Sequence, residues 1–197
     1  MSSTPPIPSP PSAPSSSSEP PRHDKHPTHS AVIETDRLIL RHWREDDAPA
    51  LYKYASDGRV SELALWPRHT SVEFSLEVLR NFFIPNRDTF AMVLKETGGP
   101  IGCIGLVPPG DEHYEINPSE REIGYWIGHP YWGHGLTIEA LQALTTYCFH
   151  KLHIPSLLIT TDLRNIASQR VALKCGFRPL ADYTFDGIPG KAFRLLP

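Results

Sequence analysis

Residues 122–137 read Glu122-Ile123-Gly124-Tyr125-Trp126-Ile127-Gly128-His129-Pro130-Tyr131-Trp132-Gly133-His134-Gly135-Leu136-Thr137. The first half is apolar and aromatic around a single acid, which reads as a strand. A short loop with Gly133 and Gly135 follows, and an amphipathic helix opens at about Leu136. The first N–H groups of a helix have no internal partner, and the helix dipole adds partial positive charge there. Glycines in front of them let an anion approach the backbone closely. The product is a cradle for a diphosphate. Taken alone, the same pattern is also that of an ordinary strand-to-helix turn. A dinucleotide fingerprint needs Gly or Ala where Ile138 stands, and a P-loop needs a Lys-Ser/Thr pair, which this loop does not carry.

Working outward, Arg37 to Trp43 predicts a first strand, and Asp46-Asp47 open a helix bearing Ala50, Leu51 and Tyr54. Gly58 to Thr70 reads as loop with at most a short helical turn. Ser71 caps a second helix with Phe74, Val78, Leu79 and Phe82 at helical spacing. Phe90–Lys95 and Ile101–Val107 form a hairpin around Thr97-Gly98-Gly99-Pro100, and Pro108–Ser119 is a polar loop. The helix from Leu136 to Leu152 carries Leu141, Leu144, Cys148 and Leu152 on one stripe. Ser156–Thr161 is a strand, Asn165 opens a short helix that ends at Gly176, and Phe177–Tyr183 and Ala192–Leu196 are the last two strands. The expected architecture is an α/β domain with a mixed sheet.

Residues 1–33 stand apart. MSSTPPIPSPPSAPSSSSEPP is a Pro/Ser tract, followed by His23, His26 and His29. Such a segment buries too little apolar surface to offset its ordering entropy, so a disordered tail is expected before a domain at 34–197. The tract has no apolar core of a secretory signal, and its prolines forbid the helix of a transit peptide. Apolar residues are 40% of the chain and charged residues 21%, an ordinary globular balance. The net charge of -3, without a basic run, points away from nucleic acid. No apolar stretch is long enough to span a membrane. Cys103, Cys148 and Cys175 fit no metal spacing, and they read as reduced core thiols of a cytoplasmic protein. No metal is expected.

Several segments in order resemble the GNAT superfamily of N-acetyltransferases, and within it the ribosomal-protein-alanine N-acetyltransferase-like branch. They are Glu34 to Arg41, Trp66-Pro67 with Thr70 to Glu73, Arg121 to Gly128, Tyr131 to Gly135, and Asn165, Ser168 and Lys174 to Phe177. The resemblance implies a mixed sheet of roughly six or seven strands with about four flanking helices. In it the fourth strand (Glu122–Gly128) splays from the fifth (Ser156–Thr161). It implies acetyl-CoA as cosubstrate, with no metal, and transfer of the acetyl group to a primary amine by direct attack in a ternary complex. The family's cofactor loop is Gln/Arg-x-x-Gly-x-Gly/Ala. Here Trp132 takes the first place and Gly135 the central one. Thr137 departs from Gly/Ala, and His134 replaces the frequent Lys.

By the resemblance, Trp132, Gly133, His134, Gly135, Leu136 and Thr137 hold the diphosphate. Trp126, Ile127 and Gly128 pair with the pantetheine arm, near a strand N–H that stabilises an oxyanion. Asn165 also reaches the cofactor. Ser168 hydrogen-bonds the departing thiolate, because Ala172 stands where many relatives carry an acid tyrosine. Glu122 is the base candidate, and its other reading is a strand-end glutamate bonded to Arg121 or a loop. A base is needed because only about one lysine amine in 2,500 is neutral at pH 7, against roughly one α-amine in seven. Trp66 and Tyr125 are substrate-binding candidates, with Trp43 and the 182–191 loop as further walls. The acceptor is a protein N-terminus or a small amine. Monomer and homodimer both stay open. The rival reading is a catalytically weak or inactive GNAT-like module that binds acyl-CoA or a protein partner.

Overall fold

Alternation along the strands sorts side chains onto two faces of a single sheet, and helices bury both. The structure, a computed structural model, describes residues 31–64 and 66–197. Its strands are β1 (Ile33–Glu34), β2 (Leu38–His42), β3 (Thr89–Leu94), β4 (Pro100–Leu106), β5 (Arg121–Ile127), β6 (Leu157–Asp162), β7 (Arg178–Phe185) and β8 (Ile188–Leu195). Its helices are α1 (Ala48–Ala55), α2 (Gly58–Ala64), α3 (Val72–Val78), α4 (Leu136–His150) and α5 (Ile166–Lys174). The sheet order is β1-β2-β3-β4-β5-β6-β8-β7. Every neighbouring pair is antiparallel except β5 and β6.

Leu38, Leu40, Phe90, Met92 and Ile123 face α4 and α5, meeting Leu141, Leu144 and Ala172. Ala91, Val93, Cys103 and Trp126 face the other way and meet Leu51 of α1, Val60 of α2 and Leu79. Burying such a leucine or phenylalanine contributes roughly 1.5–3 kcal/mol each, so both layers hold the sheet. A buried bidentate pair ties β2 to the start of α1: Arg41 Nη1 and Nη2 each lie 2.8 Å from a carboxylate oxygen of Asp47.

The local signals at helix ends act as expected. Ser71 Oγ accepts from Phe74 N, and Asn165 Oδ1 accepts from Ser168 N. The hairpin around Gly98 forms, and Gly176 ends α5 with a φ of 86°. Several details differ from expectation. Among the described residues the sheet has eight strands, because β1 adds two residues paired with Leu40 and Ile39. Ile33 is thus paired within the sheet, while the earlier tract with His23, His26 and His29 lies outside the described residues. Gly58–Ala64 is a helix rather than loop, because Asp57 accepts from Arg59 N with its side chain and caps it. The second helix continues past Val78 as a π-turn over Leu79–Phe83, with Ile84 N donating to Leu79 O. The wider turn shifts the helical phase, so Phe83 stacks on Trp43 while Phe82 is 67% exposed. Leu152 lies past the end of α4 and is likewise exposed. Lastly, the 182–191 loop is mostly strand, with β7 and β8 joined at Asp186-Gly187, both at positive φ as a tight hairpin turn requires.

Candidate active site

The site grows from an interruption in the sheet. β5 and β6 share only two register pairs, Arg121↔Leu157 and Glu122↔Leu158. Beyond them the strands part. Val107 N donates to Glu122 O, and Gly128 N to Ile101 O. Antiparallel pairing alternates, so Glu122, Gly124, Trp126 and Gly128 turn their peptide groups to β4. Tyr125 and Ile127 turn theirs to the gap. Trp132 Nε1 takes Ile127 O at 2.9 Å. Tyr125 N–H, Tyr125 C=O and Ile127 N–H have no hydrogen-bond partner among the described residues. Of the three residues expected to offer backbone to the gap, Trp126 and Gly128 thus turn their peptide groups to β4, while Ile127, together with Tyr125, turns its own to the gap. Gly128 has a packing reason to be glycine: a Cβ there would stand 2.5 Å from the Tyr54 ring.

At the mouth of the gap, Gly133 and Gly135 have φ of 77° and 75°, which L side chains rarely adopt. Gly135 is the N-cap of α4. The first internal bond of that helix runs from Glu139 N to Gly135 O. The N–H groups of residues 133 to 138 have no acceptor among the described residues. An added Cβ at Gly133 meets nothing within 4 Å, so the space before these amides is open. Glu139, in the first turn, would oppose an anion. Burial pushes its carboxyl up, but hydrogen bonds from Thr35 and Arg37 and the Arg37 charge outweigh this and leave it lowered. Arg37 Nη1 also donates to His134 O at 3.0 Å. The His134 side chain bonds Trp132 O and stays exposed.

Two lobes of a cleft open from the gap, of about 310 and 330 Å³. They share Leu63, Ala64, Tyr125, Trp126, Asn165 and Ser168, which form the neck between them. One lobe runs past Ile127, Trp132, Gly133, Gly135, Leu136 and Thr137. The other is lined by Trp66, Phe82, Glu122, His113, Thr160 and Tyr183. The site residues expected from the sequence line the cleft except His134, Gly128 and Trp43, and of the 182–191 segment Tyr183 does so. Trp66 packs on Trp126 with ring centroids 5.1 Å apart, and Trp43 lies behind, buried.

Two polar clusters mark the neck and the second lobe. At the neck, Tyr125 OH and Ser168 Oγ are 2.9 Å apart. Burial pushes the Tyr125 phenol well above its ordinary range, so it stays protonated. Ala172 is fully buried in the core, and the phenol at the neck is that of Tyr125, from β5. In the second lobe Glu122 is 2% exposed. Its Oε1 accepts from Thr160 Oγ1 at 2.5 Å, and its Oε2 accepts from His113 N at 3.1 Å. His113 Nδ1 lies 3.3 Å from Oε1. The hydrogen bond to Glu122 raises the His113 pKa, burial opposes it, and the charges of Glu122, Asp111 and Asp186 add to the rise. The sequence reading did not single out His113, Thr160 or Tyr183. The Cys103 and Cys148 thiols are pushed by burial up to about 12, which suits packing and not nucleophilic attack. Among the described residues no group of three or more His, Cys, Asp or Glu is placed to hold a metal. No described helix is long and apolar enough to cross a membrane.

The sequence profile described as "Acetyltransferase (GNAT) domain" matches residues 37–178. The chain belongs to the GNAT acetyltransferase family. The uncharacterized N-acetyltransferase YnaD of Bacillus subtilis is 30% identical over 148 residues, covering 74% of this chain and 82% of that one. A GNAT-family acetyltransferase from Bacillus anthracis superimposes with a TM-score of 0.72 at 21% identity, covering 84% of this chain and 98% of that one. RimL, a ribosomal L7/L12 α-N-protein acetyltransferase solved with coenzyme A, gives a TM-score of 0.69 at 21% identity, with coverage of 84% and 98%. The splayed strands of this GNAT chain are β5 and β6 because the short β1 precedes the strands counted from the sequence.

Proposed function

We propose that this GNAT acetyltransferase moves the acetyl group of acetyl-CoA onto a primary amine, on a protein N-terminus or a small molecule, by direct attack in a ternary complex. The observation that carries this reading is the run of acceptor-free amides at 133 to 138 opening onto the β5–β6 gap. Those amides fit a diphosphate. The free edge of Tyr125 and Ile127 fits the amide-bearing pantetheine arm, with Asn165 and Thr137 lining the same lobe. Acetyl-CoA supplies a thioester whose carbonyl carbon forms the new C–N bond as the C–S bond breaks and its electron pair leaves with sulfur.

The protein's own groups then have distinct tasks. A strand N–H at Tyr125 or Ile127 stabilises charge growing on the carbonyl oxygen. Ser168 Oγ, oriented by Tyr125 OH, hydrogen-bonds the departing sulfur. Glu122 is the anionic centre toward which the amine's proton moves. Trp66, Trp126 and Tyr125 bound the space in which the amine sits. Transfer needs no covalent enzyme intermediate, so donor and acceptor are bound together. We place the enzyme in the cytoplasm, as monomer or homodimer. Calorimetry with acetyl-CoA and a thiol-release assay over a panel of peptides and small amines test the reading. Micromolar binding with amine-dependent thiol release is expected. Binding without release on any amine would leave only an acyl-CoA-holding module, and absence of binding would remove the cofactor assignment as well.

A further inference from the structure

Glu122 sits where a substrate amine cannot easily touch it. The residue is 2% exposed, and both carboxylate oxygens are already engaged by Thr160 and by the backbone and ring of His113. The His113 side chain, by contrast, is 37% exposed and lines the same lobe. We infer that His113 is the residue that takes the proton from the acceptor amine, and that Glu122 and Thr160 are positioning residues that hold its ring. This rests on the acetyltransferase reading and refines the part that Glu122 plays in it.

The hydrogen-bond network fixes the tautomer. A carboxylate only accepts, and Oε1 already receives the Thr160 hydroxyl. His113 Nδ1, 3.3 Å from the same oxygen, therefore contributes its N–H. The lone pair of the neutral ring then falls on Nε2, which has no hydrogen-bond partner among the described residues. This is the arrangement in which a carboxylate orients a histidine and stabilises its protonated form. Phe185 packs edge-on against the ring at 4.7 Å, and His113 N donates to Glu122 Oε2, so loop and ring are held together. The charged and titratable groups facing the histidine are Glu122 from β5, Asp111 from its own loop, Asp186 from the β7–β8 turn and Tyr183 from β7. Three of the four are carboxylates, and they draw an ammonium toward Nε2 as well as favouring the ring's charged form.

The proton balance is simple. One proton passes from the acceptor's ammonium to Nε2, and the freed nitrogen lone pair forms the C–N bond. The thiolate leaves hydrogen-bonded to Ser168 and takes up the second proton that the nitrogen loses on becoming an amide. The imidazolium returns its proton to solvent, so one proton is released per acetyl group transferred. A histidine raised above its ordinary range sits nearer working pH than a carboxylate does, which suits it to general base work.

The test uses the full chain, with His113→Gln and Glu122→Gln, and reads two quantities. Proton NMR follows the His113 ring titration, and thiol release gives kcat/KM against pH for two amines of different pKa. The limb that stays in place when the amine is changed belongs to the protein. Wild type is expected to show that acid limb at the pKa NMR finds for His113. Glu122→Gln is expected to lower both values together while retaining residual turnover. His113→Gln is expected to lose the limb and about 10²-fold or more of the rate. Acetyl-CoA affinity and thermal midpoint, measured alongside, show that each variant is folded and loaded. A His113→Gln enzyme within about threefold of wild type, its acid limb intact, overturns the assignment and returns the role to Glu122. A Glu122→Gln enzyme whose NMR value falls while the limb stays put overturns it too. If wild type releases no thiol with any amine, the acetyltransferase reading falls and takes this refinement with it. That outcome is distinct from turnover that ignores His113.

Discussion

Replacing Gly135 by Trp tests the anion cradle most directly. The residue caps α4 at a φ of 75°, and a non-glycine residue in that conformation costs about 1–2 kcal/mol. For a domain of this length that lowers the thermal midpoint by roughly 2–8 °C, which leaves the fold intact at room temperature. The effect on binding is far larger. A hydrogen bond from an amide to a charged group is worth about 1.5–3 kcal/mol, and the indole stands in front of the amides that follow it. Losing two such bonds costs roughly 3–6 kcal/mol, or about 10²–10⁴ in Kd for coenzyme A. Gly135→Ala separates strain from obstruction. It carries the same backbone penalty, but its methyl finds only Arg37 Nη2, at 3.8 Å, within reach. Its affinity should stay within about tenfold of wild type. Calorimetry gives both values, and circular dichroism melts confirm the folded state. A folded Gly135→Trp protein that binds coenzyme A within about threefold of wild type would refute the cradle.

Three further outcomes follow from the same geometry. Ser168→Ala should lower kcat by about 10–100-fold, the worth of one hydrogen bond to a charged sulfur, with acetyl-CoA affinity nearly unchanged; single-turnover kinetics decide, and an unaltered kcat would remove the serine from the reaction. Arg41→Ala should destabilise the domain by about 3–5 kcal/mol in urea unfolding, because it strands the buried Asp47 carboxylate; a loss below about 1 kcal/mol would mean that Asp47 finds water. His113 has a folded pKa above the ordinary histidine value of about 6.5, so its contribution is complete below that value and is lost as pH rises through the folded one. The difference in thermal midpoint between wild type and His113→Gln should therefore be widest near about pH 5.5 and narrow toward about pH 9, and a gap that widens with pH would contradict the ion pair.

What the sequence made legible was local. Ser71, Asn165 and Gly176 announce helix ends through their own backbone chemistry, and each stands where expected. Once the 122–128 strand is read, its alternation dictates that Glu122 and Trp126 share one face and Tyr125 takes the other. Missed features were of two kinds. Some are local signals easily read otherwise: Gly58 hid the Asp57 cap of α2, and the π-turn at Leu79 shifted the phase on which Phe82 was counted. Others exist only in three dimensions. His113 meets Glu122 across a polar loop, and Thr160 reaches the same carboxylate from a strand 38 positions away. Tyr125 meets Ser168 because β5 and α5 pack together, and no spacing along the chain announces it. The cofactor loop was visible because a glycine pair before a helix is a contiguous motif. The acceptor end was not, because its groups come from β5, β6, β7 and the loop ahead of β5.

Two register pairs are a slender seam between the half of the sheet that carries β1 to β5 and the half that carries β6, β8 and β7. Glu122, in one of those pairs, also lines the cleft. An occupant that bonds the bare rim of Tyr125 and Ile127, and reaches α4 and α5 at once, works as a staple across it. Cohesion of the two halves and tightness of ligand grip then become a single quantity, so amide protons on β6 and β8 should exchange more slowly whenever the staple is in place.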